Sequence, residues 1–237
     1  MTPYYQDESC TIYHGDCREM LPNLPVCDLL LTDPPYGVGW QSGRGAHDVL
    51  VGDDDTLPLS GWLELALRKT RRGRHVYIFG LSPSDIPSGV SLCRSVELVW
   101  DKGVMGLGDI TSPWGPAHEV ILFGVQEISK ANRAKNYGVT AARLRKGSVL
   151  RVQRRQSGQT LRHPTEKPVE LLRILIESSS TFGEIVLDPF VGSGATLEAA
   201  RLEGRKAIGI EIEERYCEIA ARRLAQEVLV YPGEERE

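Results

Sequence analysis

Ile185-Val186-Leu187-Asp188-Pro189-Phe190-Val191-Gly192-Ser193-Gly194-Ala195-Thr196 is the stretch on which the fold turns. The apolar run predicts a strand, and two glycines two apart let the backbone bend sharply before a helix that starts at Ala195. Strand, glycine turn and helix make an α/β unit, and open α/β sheets bind ligands outside the carboxyl ends of such strands. Glu211 ends the next strand, 17 residues after Gly194, where a carboxylate can accept from both hydroxyls of a ribose. Asp188, just before the loop, can hold a cationic amino group. The dinucleotide pattern GxGxxG is broken, because Leu197 stands where its third glycine would be.

Outward from this unit, strands and helices alternate. Apolar patterning predicts strands at Cys10–Tyr13, Val26–Thr32, His75–Phe79, Val96–Trp100, Glu119–Phe123, Glu184–Leu187 and Lys206–Ile210. Helical spacing covers about Cys17–Leu24, Leu57–Arg72, Ile86–Arg94, Val169–Glu177, Ala195–Glu203 and Arg215–Gln226. Such alternation implies a doubly wound, mostly parallel sheet. The strands around Val96 and Glu119, joined through Ser112-Pro113-Trp114-Gly115-Pro116, imply an antiparallel edge. Gly37–Thr56 lacks periodicity and has the length of a lid or binding loop.

The strand before Thr32 runs into Asp33-Pro34-Pro35-Tyr36. Two consecutive prolines fix two φ angles and remove two backbone donors, so this loop offers acceptors only. Asp33 adds a further acceptor and Tyr36 a flat ring. Acceptors beside a stacking surface suit a planar ring with an exocyclic amino group, although Asp-Pro is also ordinary turn chemistry.

With 237 residues, 41% hydrophobic and 25% charged, the chain is an ordinary globular one. It holds no apolar run near the ~20 residues that span a bilayer and no signal-peptide core, which implies a cytoplasmic protein with no membrane partner. Five cysteines without a CxxC pair imply reduced thiols, no disulfide framework and no metal site. Residues 130–162 hold ten basic residues and no acid: Lys130, Arg133, Lys135, Arg143, Arg145, Lys146, Arg151, Arg154, Arg155 and Arg162. The whole chain carries −4, so the remainder carries −14. An acidic globule with one cationic segment suits a phosphate-backbone partner, and a solvated basic loop is the plain alternative.

Taken together, Asp33–Tyr36 (DPPY), Asp188–Thr196 (the DPFxGSG type of loop, here with Ala195), His14-Gly15-Asp16 and His163-Pro164-Thr165-Glu166-Lys167-Pro168 resemble the S-adenosylmethionine-dependent DNA amino methyltransferases. The catalytic loop precedes the basic segment and the cofactor loop, an order that resembles their β group. The resemblance implies a Rossmann-like methyltransferase sheet, circularly permuted, with residues 1–124 as catalytic half, 125–162 as a basic target-recognition insertion and 163–237 as cofactor half. It implies Asp33, Pro34, Pro35 and Tyr36 as the catalytic set. Its cofactor set is Asp16, Thr165, Lys167, Asp188, Phe190, Gly192, Ser193, Gly194, Thr196 and Glu211, with S-adenosyl-L-methionine as cofactor. Capping alone would also explain Asp16, at the start of a helix, and Thr165, before another.

The implied reaction is N6 methylation of adenine in DNA, by base flipping. Family members acting on cytosine N4 more often carry Ser in place of Asp33. Methylation of RNA or of a protein glutamine, and an idle module that binds DNA and cofactor, are the other readings. The resemblance also allows a homodimer and a cognate restriction endonuclease.

Overall fold

The computed structural model describes residues 1–35, 59–103, 113–127, 146–153 and 166–226. Within these, nine strands form one sheet: β1 (Tyr5–Gln6), β2 (Cys10–His14), β3 (Cys27–Thr32), β4 (Thr70–Phe79), β5 (Leu92–Asp101), β6 (His118–Gln126), β7 (Val149–Arg151), β8 (Ile185–Asp188) and β9 (Lys206–Glu211). Their order is β1-β2-β9-β8-β3-β4-β6-β5-β7. The five strands from β2 to β4 in that order are parallel. The described helices are α1 (Cys17–Met20), α2 (Leu59–Lys69), α3 (Val169–Ser179), α4 (Ala195–Leu202) and α5 (Glu214–Ala225).

Every residue of β3 is buried, as a parallel strand covered on both faces must be. The two-residue period splits its side chains between two cores. Leu29 and Leu31 join α3, α4 and α5 through Leu171, Leu175, Ala199 and Ala220. Leu30 joins α1 and α2 through Cys17, Trp62, Leu63 and Ala66. The result is a three-layer α/β/α arrangement.

From β3 the chain moves to β4 on one side; from β8 it moves to β9 on the other. The strand order therefore reverses between β3 and β8, which pair in register Leu29↔Val186 and Leu30↔Leu187. A crevice opens outside the carboxyl ends of two such strands. Asp33 follows one of them and Asp188 ends the other.

Three expectations need correction. Residues 86–94 are not helical. Ser82 and Asp85 close a capping box on a single 3-10 turn, Pro83–Asp85. Pro87 then forces Ile86 into extended backbone (φ −67°, ψ 122°). From Leu92 onward β5 is claimed by its pairing with β6. Second, β5 and β6 are antiparallel as expected, but they do not form the edge. The basic segment contributes β7, which pairs parallel outside β5; the antiparallel edge is β1, on the opposite side. Third, several bounds move. Helix α1 gives way to a 3-10 turn at Leu21–Asn23. The helix expected to Arg72 stops at Lys69, where the Thr70 hydroxyl donates to the Ala66 carbonyl (3.0 Å) and β4 begins.

Candidate active site

Asp33 sits at the mouth of the crevice, partly exposed, with Pro34 buried and Pro35 half-buried behind it. Lys167 Nζ donates to Asp33 Oδ2 at 2.6 Å. The same ammonium lies 3.3 Å from Glu119 Oε2, and Lys102 Nζ lies 2.7 Å from Glu119 Oε1. Four charges thus alternate from Asp33 to Lys102. Both lysines are buried (8% exposed each), and each ammonium also faces a ring, Lys167 over Phe79 at 5.1 Å and Lys102 over Trp100 at 5.5 Å. Burial alone would lower the Lys167 ammonium, but Asp33 and then Glu119 outweigh it and hold it above the ordinary lysine range. Burial likewise pushes Glu119 up, and the two lysines more than reverse that.

The glycine loop follows β8, which pairs with β3, at the same carboxyl end of the sheet. Gly192 (φ +52°) and Gly194 (φ +85°) take left-handed backbone. At Gly194 a Cβ would lie 2.9 Å from the Ala220 side chain and 3.1 Å from its Cα, so α5 packs too close for any other residue. Glu211, at the end of β9, ties the loop down: its Oε2 accepts from Gly192 N–H (2.8 Å) and its Oε1 from Glu213 N–H (2.9 Å). Burial raises the Glu211 carboxyl, against these two backbone donors and the Ile212 N–H. A carboxylate has about four acceptor positions, so with three backbone donors against it some capacity remains for a ribose hydroxyl. Beside it, Asp16 caps α1, accepting from Arg18 N–H at 2.8 Å. The Arg18 guanidinium also pairs with it and holds its carboxyl below the usual range, although some burial pushes the other way.

Several expected site residues face the protein instead. The Ser193 hydroxyl donates to Glu166 Oε2 (2.9 Å) and accepts from Arg223 (3.2 Å). Arg223, 3% exposed, also binds Glu166 Oε1 (3.0 Å), the Ser193 carbonyl (3.1 Å) and Glu198. Ser193 therefore offers a ligand its backbone, while its side chain secures the loop. Phe190 is half-buried, edge-on to Trp62 with centroids 4.9 Å apart.

Asp188 is 2% exposed. Its Oδ1 accepts from the Thr32 hydroxyl (2.8 Å) and from Phe190 N–H (3.0 Å), and the Thr196 hydroxyl donates to the same carboxylate. These bonds lock β3 to β8 at the crevice. They make Asp188 and Thr196 structural anchors first, and only secondarily candidates for a cationic ligand.

Burial pushes the Asp188 carboxyl up to about 6, against those three donors, with Asp33 adding to the rise. The folded state therefore holds this proton where the unfolded chain, near 3.8, has lost it. By linkage, stability falls as pH climbs from about 4 to about 6, and the cost persists above. Asp188→Asn keeps an acceptor for Thr32 and Phe190 and carries no charge. Its stability relative to wild type should grow between pH 4 and pH 8, by on the order of 1.4 kcal/mol for each pH unit from about 4 to about 6 and by nothing further above that. Urea midpoints at the two pH values measure the gain; an unchanged difference contradicts it.

Lys167 was expected near the cofactor, and the structure puts its ammonium on Asp33. Glu119 and Lys102 were not expected in the site, although both lie at strand ends beside Trp100. A Lys and a Glu within otherwise apolar strand surroundings was the available signal. Tyr36, Thr165, Lys130, Arg133, Lys135, Arg143, Arg145, Arg154, Arg155 and Arg162 lie outside the described residues. Of the described basic residues, Lys146 lies 3.4 Å from Glu177, and Arg151, largely exposed, lies 3.6 Å from Asp101.

The donor set around the crevice fits a nucleoside-type ligand. Glu211 has acceptor capacity left, the glycine loop admits close approach, and Asp16, its oxygens held by Arg18, stands at the neighbouring strand end.

A family model described as DNA methylase matches residues 97–222. DNA adenine methyltransferase YhdJ of Escherichia coli (strain K12) is 28% identical over 265 residues, covering 93% of this chain and 84% of YhdJ. Among solved structures, M1.HpyAVI in its SAM complex superposes with a TM-score of 0.65 at 22% identity, over 92% of this chain and 100% of that one. The cytosine-N4-specific PvuII DNA methyltransferase gives a TM-score of 0.65 at 17% identity, over 94% of this chain and 89% of its own. Both superpositions show that the sheet and its helices are arranged as in those two proteins.

Proposed function

The chain belongs to the N6/N4 DNA methylase family, and from that premise we propose that it transfers a methyl group from S-adenosylmethionine to the exocyclic N6 amino group of adenine in DNA. The observation that carries the proposal is the placement of Asp33-Pro34-Pro35 and the Gly192–Gly194 loop at the carboxyl ends of the two neighbouring strands between which the strand order reverses. Glu211, Asp16 and the backbone of the glycine loop would hold the cofactor, which when bound supplies an electrophilic methyl group on a sulfonium.

The protein's own residues do the rest. Adenine's amino lone pair is delocalised into the ring and is a weak nucleophile. Asp33 and the Pro34 carbonyl accept its two N–H bonds, favouring a pyramidal nitrogen with its lone pair turned to the crevice. The negative charge of Asp33 offsets the positive charge that grows on that nitrogen, and the surplus proton leaves afterwards. Most of the gain is orientation, since two reactants are held in line. Inside a duplex the amine is out of reach, so the base is flipped out. Tyr36 would stack on it, and the basic residues of 130–162 would hold phosphates.

Adenine is preferred over cytosine because Asp33 stands where cytosine-acting relatives more often carry Ser, and because YhdJ is named an adenine enzyme. A β-group order, a homodimer, a cognate restriction endonuclease and a cytoplasmic location belong to this same proposal. DNA incubated with the protein and cofactor, digested to nucleosides and weighed by mass spectrometry, should yield N6-methyladenine. N4-methylcytosine alone would overturn the adenine assignment, and no methylated nucleoside would overturn the reaction.

A further inference from the structure

The charge chain behind Asp33 points to a second layer of the catalytic machinery. We propose that Lys167 is the positioning residue for Asp33, and that Glu119, itself held by Lys102, keeps Lys167 in place. This rests on the methyltransferase reading and says which residues set the geometry of its acceptor.

Asp33 must hold one orientation to accept from the amine. A carboxylate on a proline loop can rotate about two side-chain bonds, and an acceptor that rotates does not aim a lone pair. Lys167 Nζ at 2.6 Å takes Oδ2 and thereby sets the plane of the carboxylate. An ammonium on a four-carbon stem is itself flexible, so it can fix Asp33 only if something fixes it. Here three things do. Its stem is buried, its head lies 3.3 Å from Glu119, and it faces the Phe79 ring at 5.1 Å. Glu119 is anchored in turn by Lys102 at 2.7 Å, and it sits on β6, paired with β5 and two residues from Ile121, whose backbone is paired on both sides. The order is thus a rigid sheet, then Glu119, then Lys167, then the acceptor. Two cations balance two carboxylates, so the group adds no net charge where positive charge must develop.

A cofactor-binding role for Lys167 makes a different forecast, and kinetics separate the two. Lys167→Met should lower the rate of methyl transfer to DNA in single turnover by about 10- to 100-fold, the scale of one misplaced catalytic group, while cofactor affinity, read by calorimetry with sinefungin, stays within twofold. Lys167→Arg should recover part of the rate. Glu119→Gln should lower it in the same direction but less. The decisive readout is the cycle with Asp33→Ala, which leaves Lys167 no acceptor at that position to orient. In that background Lys167→Met should change the residual rate less than twofold, because the contact it removes is already gone. If Lys167→Met fails to fold, the same cycle run with Glu119→Gln carries the test. Multiplying effects in the cycle, or a tenfold loss of sinefungin affinity with the rate intact, overturns the assignment and leaves the methyltransferase reading standing. A wild-type protein that transfers no methyl group overturns both.

Discussion

Asp33→Ala should abolish most methyl transfer to DNA, by about 10²–10³-fold in rate, while the protein stays folded. The magnitude is that of removing one group aimed at charge developing in a transition state. The substitution deletes the acceptor for one amine N–H and the negative charge beside the nitrogen as it becomes cationic. Asp33→Asn should fall between the two, since its carbonyl still accepts but offers no charge. Folding should suffer little: Asp33 is partly exposed, and Lys167 retains Glu119 as a partner. Transfer of a tritiated methyl group to DNA, with circular dichroism run alongside, measures both arms. A variant that methylates near the wild-type rate removes Asp33 from the chemistry.

The largest effect on stability should come from Arg223→Leu. Arg223 is 3% exposed and binds Glu166, Glu198, the Ser193 hydroxyl and the Ser193 carbonyl. The side chain of Glu166 is 1% exposed. Without the guanidinium, that carboxylate stays buried and loses its Arg223 partner. Breaking one side of a buried pair costs about 3–5 kcal/mol, out of the 5–15 kcal/mol that hold a typical domain together. The urea midpoint should drop accordingly. Arg68→Ala, which breaks an exposed pair with Glu64 on α2, should cost at most about 1 kcal/mol. Equal costs for the two would mean that the buried network is dispensable. Because the same arginine holds Ser193, the glycine loop should also loosen, and cofactor affinity should fall even where Arg223→Leu remains folded.

The parts of the molecule legible in its sequence were those governed by local pattern. β3 and β8 announce themselves as apolar runs, and Gly192 and Gly194 mark a turn that needs positive φ. Their order along the chain was enough to place Asp33 and the glycine loop on one side of the sheet. What escaped depends on contacts between distant residues. β7 is three residues long and exists because β5 offers it a free edge. The stretch 86–94 has helical spacing, but Pro87 and the pull of β6 decide against it. Lys167, 134 residues from Asp33 along the chain, could be matched to a motif but not to its partner. Arg223 lies beside Arg222 on an amphipathic helix, and only the packing of α5 against the glycine loop shows it turned inward.

The central claim is that the proline loop after β3 and the glycine loop after β8 form one active site. A crystal structure with sinefungin tests it most directly. The inhibitor should lie in the crevice between the two loops, its ribose hydroxyls on Glu211 and its amino acid end toward Asp33. Density for sinefungin anywhere else on the protein, with this crevice empty, would contradict the account.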